Sequence, residues 1–317
     1  MEKTAVLMAT YNAADLIVSQ LDTIRLQELP ADYVIFRDDH SSDQTVQFLK
    51  NYIEKYELKG WQIFENDKNI GWRLNFRLLL IDGLKTDASF FFFSDQDNIW
   101  LADKNKVQIE VMLEFPEIEL LSADIEIKKL SQESSDLPSW FTYFQFDDRE
   151  EMISKYPKRL LYQSYRVGWV DVMRRGFVED MIEFWQPDYN VTHDVLNSTL
   201  SSLLGTGFNL NRIVGTHVLH QHNATGKKLL TLRSPKNVHL SELKKFVGFY
   251  DILYHVLEKR KINQAEEMKN YRDFYQRRLE NAKSKHLLPV VKQILVDWHY
   301  YPAMSSRVRD LYFAFRK

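Results

Sequence analysis

The chain contains no cysteine. That removes disulfides, thiolate-held zinc and a cysteine nucleophile together, and it suits a reducing compartment. No apolar run reaches the roughly 18 residues that a membrane-spanning helix needs. No signal-peptide pattern is present either, because Met1-Glu2-Lys3-Thr4 leads straight into a strand-like apolar run, so a cytoplasmic protein is expected. Internal repeats and low-complexity segments are also missing. What is there is a chain of 317 residues that is 44% hydrophobic, 14% aromatic and 27% charged, a globular composition with enough apolar bulk for a large core.

The net charge of −2 conceals a division. Residues 1–226 carry 22 basic and 35 acidic side chains, and residues 227–317 carry 20 basic and 9 acidic ones. An acidic front and a basic rear predict two regions with different partners, divided at 226/227.

In the first hundred residues, apolar runs of strand length alternate with helical spacing. Thr4–Thr10, Tyr33–Phe36, Trp61–Phe64 and Ala88–Phe93 read as strands, and Ala14–Leu26, Asp43–Tyr56 and Arg73–Leu84 as helices. The order predicts an α/β fold with a mostly parallel, Rossmann-like sheet covered by helices. Farther on, Glu119–Ile127, Tyr165–Met173 and Arg212–His220 read as strands, Phe177–Trp185 and His193–Leu204 as helices, and Ser131–Asp148 as a long loop. From Ser241 the pattern is helical, with Pro289 and Pro302 as expected breaks.

Ligands of such sheets bind beyond the carboxyl ends of the strands, so the segments just after each strand carry the functional information. Strand one ends in Thr10-Tyr11-Asn12, strand two in Arg37-Asp38-Asp39-His40-Ser41-Ser42-Asp43, and strand four in Ser94-Asp95-Gln96-Asp97-Asn98. Two acidic clusters on one sheet edge repel each other, and a divalent cation is the simplest answer. Asp95 and Asp97 present oxygens suited to Mg²⁺ or Mn²⁺, which keep other positions for water and substrate phosphates; turn or cap duty is the alternative. A carboxylate of Asp38-Asp39 suits the ring N–H of a pyrimidine base, while Ser41, Ser42 and Asp43 suit helix capping. Thr10, Tyr11 and Asn12 offer a ring and two polar groups to the same pocket, or a plain turn.

These ordered motifs, with Asn69-Ile70-Gly71-Trp72, Asn75, Ile99-Trp100 and Asp103-Lys104, resemble the family-2 glycosyltransferases of the GT-A fold. The Ser-Asp-Gln-Asp-x-Ile-Trp form is similar to the bacterial rhamnosyltransferase-like branch. The resemblance covers residues 4–226. It implies a GT-A nucleotide-diphospho-sugar transferase domain over 1–226, followed by a C-terminal helical region over 227–317. It further implies that Thr10, Tyr11 and Asn12 line the nucleoside pocket, that Asp39 reads the pyrimidine, and that Asp95 lies by the ribose or the waters of the metal. Asp97 would hold Mn²⁺ or Mg²⁺ bridging the diphosphate, and Arg73 would reach phosphate. Asp194, in Thr192-His193-Asp194, would be the base of an inverting transfer, and His222 a second metal ligand. Either role needs only ordinary chemistry: a Lewis acid for the leaving diphosphate and a base near the acceptor hydroxyl.

Three departures from the pattern stand out, and the last two, near the donor sugar and acceptor, bear on the identity of the sugar. The turn after Asp39 has His40 where relatives have glycine, Asn98 stands where the branch has a second Asp, and Val195-Leu196 replaces tryptophans after His-Asp. The implied donor is a dTDP- or UDP-sugar, dTDP-rhamnose first. The acceptor is a hydroxyl of a surface glycan, carried on lipid or protein. The basic rear suits packing, homodimerisation or peripheral contact with the inner face of a membrane. It lacks any nucleic-acid-binding motif. A nucleotidyltransferase is the rival enzyme, but it commonly carries a glycine-rich loop where this chain has Thr10-Tyr11-Asn12-Ala13-Ala14. A non-catalytic scaffold has no need of Asp39, Asp95, Asp97 and Asp194 together.

Overall fold

The computed structural model describes residues 2–129, 144–146, 148–158, 160, 164–219, 234–284 and 286–315. It divides into two compact units, Met1–Ile182 with Thr192–Gly226, and Glu183–Val191 with Lys227–Lys317.

The first unit is built on one sheet. β1 (Thr4–Thr10), β2 (Tyr33–Asp38), β3 (Trp61–Glu65) and β4 (Phe90–Ser94) run parallel in the order β3-β2-β1-β4. The crossovers carry α1 (Ile17–Arg25), α2 (Thr45–Lys55) and α3 (Trp72–Leu84). β1 and β4 read as continuous apolar runs because both faces are covered: Ala5 to Met8 and Phe90 to Phe93 are buried. The chain winds outward from β1 to β3 and then returns to place β4 on the other side of β1. That reversal opens a crevice at the carboxyl ends of β1 and β4, where the sheet binds ligands.

Beyond β4 come β5 (Ile99–Trp100), α4 (Lys104–Glu114), β6 (Leu120–Lys129), β7 (Ile153–Lys155), β8 (Val172–Arg174), α5 (Arg175–Phe184), α6 (His193–Leu204) and β9 (Gly207–Leu219). The sheet continues β4-β8-β6-β9-β5, with β8 antiparallel to both neighbours and β6 parallel to β9. β5 and β7 pair antiparallel with β9. The predicted α/β fold is therefore present.

α4 turns Lys104, Asn105 and Gln108 inward together with Ile109, Val111 and Met112, so its buried face mixes polar and apolar side chains and the sequence pattern does not show the helix. Residues Tyr165–Met173 do not make one strand: a 3₁₀ turn over Gly168–Val170 precedes the three-residue β8.

In the second unit α7 (Lys236–Lys259) and α8 (Ala265–Ser284) form an antiparallel hairpin in which Phe246 stacks on Tyr275 and Tyr250 on Tyr271. α9 (Leu287–Val296) and α10 (Met304–Phe315) follow. Pro289 lies in the first turn of α9, where a missing N–H costs nothing, so the break falls before it. Among the described residues no helix is long and apolar enough to cross a membrane.

Candidate active site

The loop after β1 is fastened on both sides. Thr10, fully buried, donates its hydroxyl to Asp38 at 3.0 Å. Asn12 takes a left-handed φ of 46°, accepts the Ser42 N–H at 2.8 Å and donates its own N–H to Ser41 Oγ at 2.9 Å. Gln96 clips this loop to the one after β4: it accepts the Tyr11 N–H at 2.8 Å and donates to the Tyr11 carbonyl at 3.2 Å. Of the three expected pocket residues, Tyr11 is the one whose ring stands open, at 46% exposure, available for stacking. Gln96 is a site residue whose bridging role its flanking carboxylates hide in the sequence.

The two aspartates after β2 divide the work. Asp38 accepts the Ser41 N–H and hydroxyl at 2.7 and 2.6 Å and so closes the turn. Asp43 accepts from Thr45 and from the Ala14 N–H, a structural duty. Asp39 pins the third loop, accepting the N–H groups of Ile70 and Gly71 at 2.8 Å each and the Asn66 amide at 2.9 Å. A carboxylate has about four acceptor positions, so roughly one remains for a base N–H. Asn66, Asn75 and Arg37 form the wall behind it, and Arg37 is paired with buried Asp82. His40 occupies the glycine position of the turn at φ 63°, a left-handed conformation in which histidine is over-represented.

The third cluster gathers acids from distant segments. Burial, reinforced by the negative charges of Asp97 and Asp194, pushes the Asp95 carboxyl up to about 8. The Asn98 amide, 3.5 Å away, opposes the shift only weakly. Asp95, Asp97 and Asp194 therefore share one electrostatic neighbourhood at the β4 end of the crevice. Asp97 also lines a cleft of about 240 Å³ with Asp15, Ser19, Ile99 and Val218.

Asp194 lies in the first turn of α6, where the helix dipole favours an anion. It accepts the Val195 N–H at 2.9 Å, and the Ser164 hydroxyl is 3.4 Å away. Arg73 donates to Thr192 at 3.0 Å and rests on the Trp72 ring, so it braces the start of α6. His193 is buried among Trp72, Phe76 and Phe93, and desolvation lowers its pKa to about 4. The ring is thus neutral and apolar in its surroundings, a wedge that fixes where Asp194 emerges.

Gly168 makes that wedge possible, since a Cβ there would stand 2.6 Å from His193 Nε2. Gly168→Ala is expected to destabilise the fold by about 1–3 kcal/mol through overpacking. It should also lower any turnover that depends on Asp194 by displacing the His193–Asp194 turn; thermal melting and turnover on the same sample check both.

Behind Asp194 lies Asp171, whose carboxyl burial drives well above the usual range, with the Asp194 charge adding to the effect. Asn197 of α6 donates to it at 3.4 Å. Lys104 is equally buried, hydrogen-bonded to Gln108 at 2.8 Å and 4.0 Å from the Trp100 ring centroid, and desolvation holds its pKa well below normal. Lys104 belongs to the Asp103-Lys104 motif, but nothing in the sequence signals that it is buried, and Asp171 has no neighbour that signals its place.

Among the described residues no set of three or more acidic, histidine or cysteine side chains assembles a complete metal cage. Asp95 and Asp97 together still fit a hard cation that takes one or two protein carboxylates and fills its shell with water and phosphate oxygens. Their mutual repulsion with Asp194 is what a bound cation would relieve. His222, the expected second ligand, lies outside the described residues, as do His220 and most of the loop expected over Ser131–Asp148.

A doubly wound sheet with acidic loops gathered at its switch point is the frame of a GT-A glycosyltransferase. The chain belongs to glycosyl transferase family 2, whose model matches residues 5–175. Among solved structures, S. aureus TarS 1–349 in complex with UDP is similar at 15% identity and TM-score 0.56, over 98% of this chain and 89% of that one. GalNAc-T7 with UDP, GalNAc and Mn²⁺ is similar at 11% identity and TM-score 0.53, over 85% of this chain and 56% of that one. A longer S. aureus TarS structure, at 17% identity and TM-score 0.54, is matched over 88% of this chain, which spans 43% of its length. Among curated proteins none matches the chain.

Proposed function

We propose that the protein is an inverting, cation-dependent transferase that moves a sugar from a UDP- or dTDP-sugar to an acceptor hydroxyl of a surface glycan. The observation that carries this reading is the convergence of Asp95, Asp97 and Asp194 at the switch point of the sheet. Tyr11 stacks on the base, Asp39 offers its remaining acceptor position to the pyrimidine N–H, Asp97 would hold Mn²⁺ or Mg²⁺ with His222 as second ligand, and Asp95 lies by the ribose or the waters of the metal. A divalent cation there would neutralise the diphosphate as it leaves. Asp194 accepts the proton of the acceptor hydroxyl as the oxygen attacks the anomeric carbon from the face opposite the diphosphate, which inverts the centre. Arg73 orients the segment that carries Asp194 through its Nε–H to Thr192, which leaves its Nη groups to reach phosphate.

Two supports differ on the donor. The Ser94-Asp95-Gln96-Asp97 motif is similar to rhamnosyltransferase-like relatives and favours dTDP-rhamnose. The UDP complexes of TarS and GalNAc-T7 favour a UDP-sugar. A panel of nucleotide sugars with Mn²⁺ or Mg²⁺, read as nucleoside-diphosphate release, decides between them. Asp97→Asn is expected to weaken metal-dependent donor binding by about 10- to 100-fold, measured by calorimetry with and without Mn²⁺. Unchanged, metal-sensitive binding in that variant would remove Asp97 as a ligand.

A further inference from the structure

We propose that the second unit carries a docking surface for an anionic lipid bilayer, formed by the outer faces of α9, α10 and the turn between them. The inference stands independently of the transfer reaction.

α9 is apolar on two sides. Val290 and Ile294 point into the unit, yet Leu288, Val291 and Leu295, spaced to lie along one stripe of the opposite side, are exposed, Leu288 at 81% and Leu295 at 72%. A helix covered on one side in water has no reason to keep such a second face. The stripe does not end with α9. Trp298 follows it in the next turn, half exposed, and Met304, Val308 and Tyr312 recur at a four-residue spacing on the exposed side of α10. Arg307 ties α10 to the turn after α9: its guanidinium lies 3.7 Å from the Trp298 ring centroid, donates to the Trp298 carbonyl at 2.6 Å and stands 4.0 Å from Met304 Sδ.

The charges around this face select the occupant. Residues 287–317 include only two carboxylate side chains, Asp297 and Asp310. Both are buried and both are held by arginines of α8, Asp297 by Arg277 and Asp310 by Arg278. The cations are placed differently. Lys292 is exposed between Leu288 and Val296 on α9, and Arg307 and Arg309 are partly exposed on α10. An exposed tryptophan with an arginine on its face, aliphatic side chains projecting outward and the lack of an exposed carboxylate side chain on α9 and α10 suit the interface of a negatively charged membrane. A second copy of the chain fits less well, because a two-fold contact through this face would bring Lys292, Arg307 and Arg309 toward their own images.

The test uses the full chain with extruded vesicles, sedimented or floated, of phosphatidylcholine alone or with about 30% phosphatidylglycerol. Binding is expected to the anionic vesicles and not to the neutral ones, and to fall with salt. Leu288→Ser/Leu295→Ser should weaken it by at least about tenfold with unchanged melting, because both side chains are already exposed in the free chain. Should that variant melt early, Lys292→Ala carries the test, with an expected loss of about fivefold. Equal binding to both vesicle types, no binding to either, or variants that bind like the parent chain would each overturn the proposal. So would a dimer that dissociates in the double variant while vesicles are ignored.

Discussion

Replacing Asp194 by asparagine is expected to lower kcat by about 10²–10⁴-fold while leaving donor affinity within a factor of about three. The two halves of this result have separate causes. An asparagine amide has nearly the shape of the carboxylate and can still accept the Val195 N–H that Asp194 accepts at 2.9 Å. The first turn of α6 should therefore keep its geometry, and the melting temperature should barely move. What the amide cannot do is take a proton from an acceptor hydroxyl. In the proposed reading, donor binding would depend on groups elsewhere in the crevice: Tyr11, Asp39, and a cation at Asp97 beside Asp95. Calorimetry with UDP and Mn²⁺ on the variant tests the binding half, and transfer at saturating donor and acceptor tests the chemical half. Normal turnover would make Asp194 a helix-terminus residue without a chemical role. A joint loss of binding and turnover would instead mean that its charge helps to hold the cation.

The parts of this site that could be read from sequence are the parts where chemistry stands next to a strong structural signal. Asp95 and Asp97 follow Phe90–Phe93, a run so apolar that only a buried strand accounts for it, and strand ends of parallel sheets are where ligands gather. Asp39 and Asp194 are singled out by motif resemblance only; spacing alone leaves each of them open to a capping role. The support behind them was hidden. Asp171 and Lys104 are polar residues inside a core, and no periodicity announces a polar residue that points inward. The same inversion concealed α4, whose interior face sets Lys104, Asn105 and Gln108 beside Ile109, Val111 and Met112. His193 was visible only as the residue before Asp194, because its wedge among Trp72, Phe76 and Phe93 depends on three elements meeting. Where relatives carry glycine after Asp39, His40 adopts the left-handed conformation that glycine takes at lower cost.

The largest stability effect is expected in the helical unit, at Asp310. Its carboxylate accepts from Arg278 Nε and Nη2 at 2.7 and 2.8 Å and from the Tyr301 hydroxyl at 2.9 Å, and His239 Nε2 is 3.4 Å away. Arg278 and Asp310 are both buried, and Arg278 is hemmed in by Phe274, Tyr275 and Tyr301. Burial by itself would raise the Asp310 pKa; the opposing pull of His239 and Arg278 overcomes it and leaves the carboxyl below its ordinary range. The sign follows directly. A carboxylate depressed in the folded state stabilises the fold above its unfolded pKa of about 3.9, and that contribution is lost as pH falls through the lower, folded value. Asp310→Asn removes the counter-charge and leaves a guanidinium enclosed by aromatic rings, at an expected cost of about 3–5 kcal/mol. Removing both partners, as in Arg278→Met/Asp310→Leu, should cost clearly less, because no charge is then left buried alone. Amide exchange in α7, α8 and α10 reads the effect where it arises, and denaturant titration gives its size. If the double variant proved as unstable as Asp310→Asn, the loss would come from the shape of the aromatic cage around Arg278, and the charge would have little part in it.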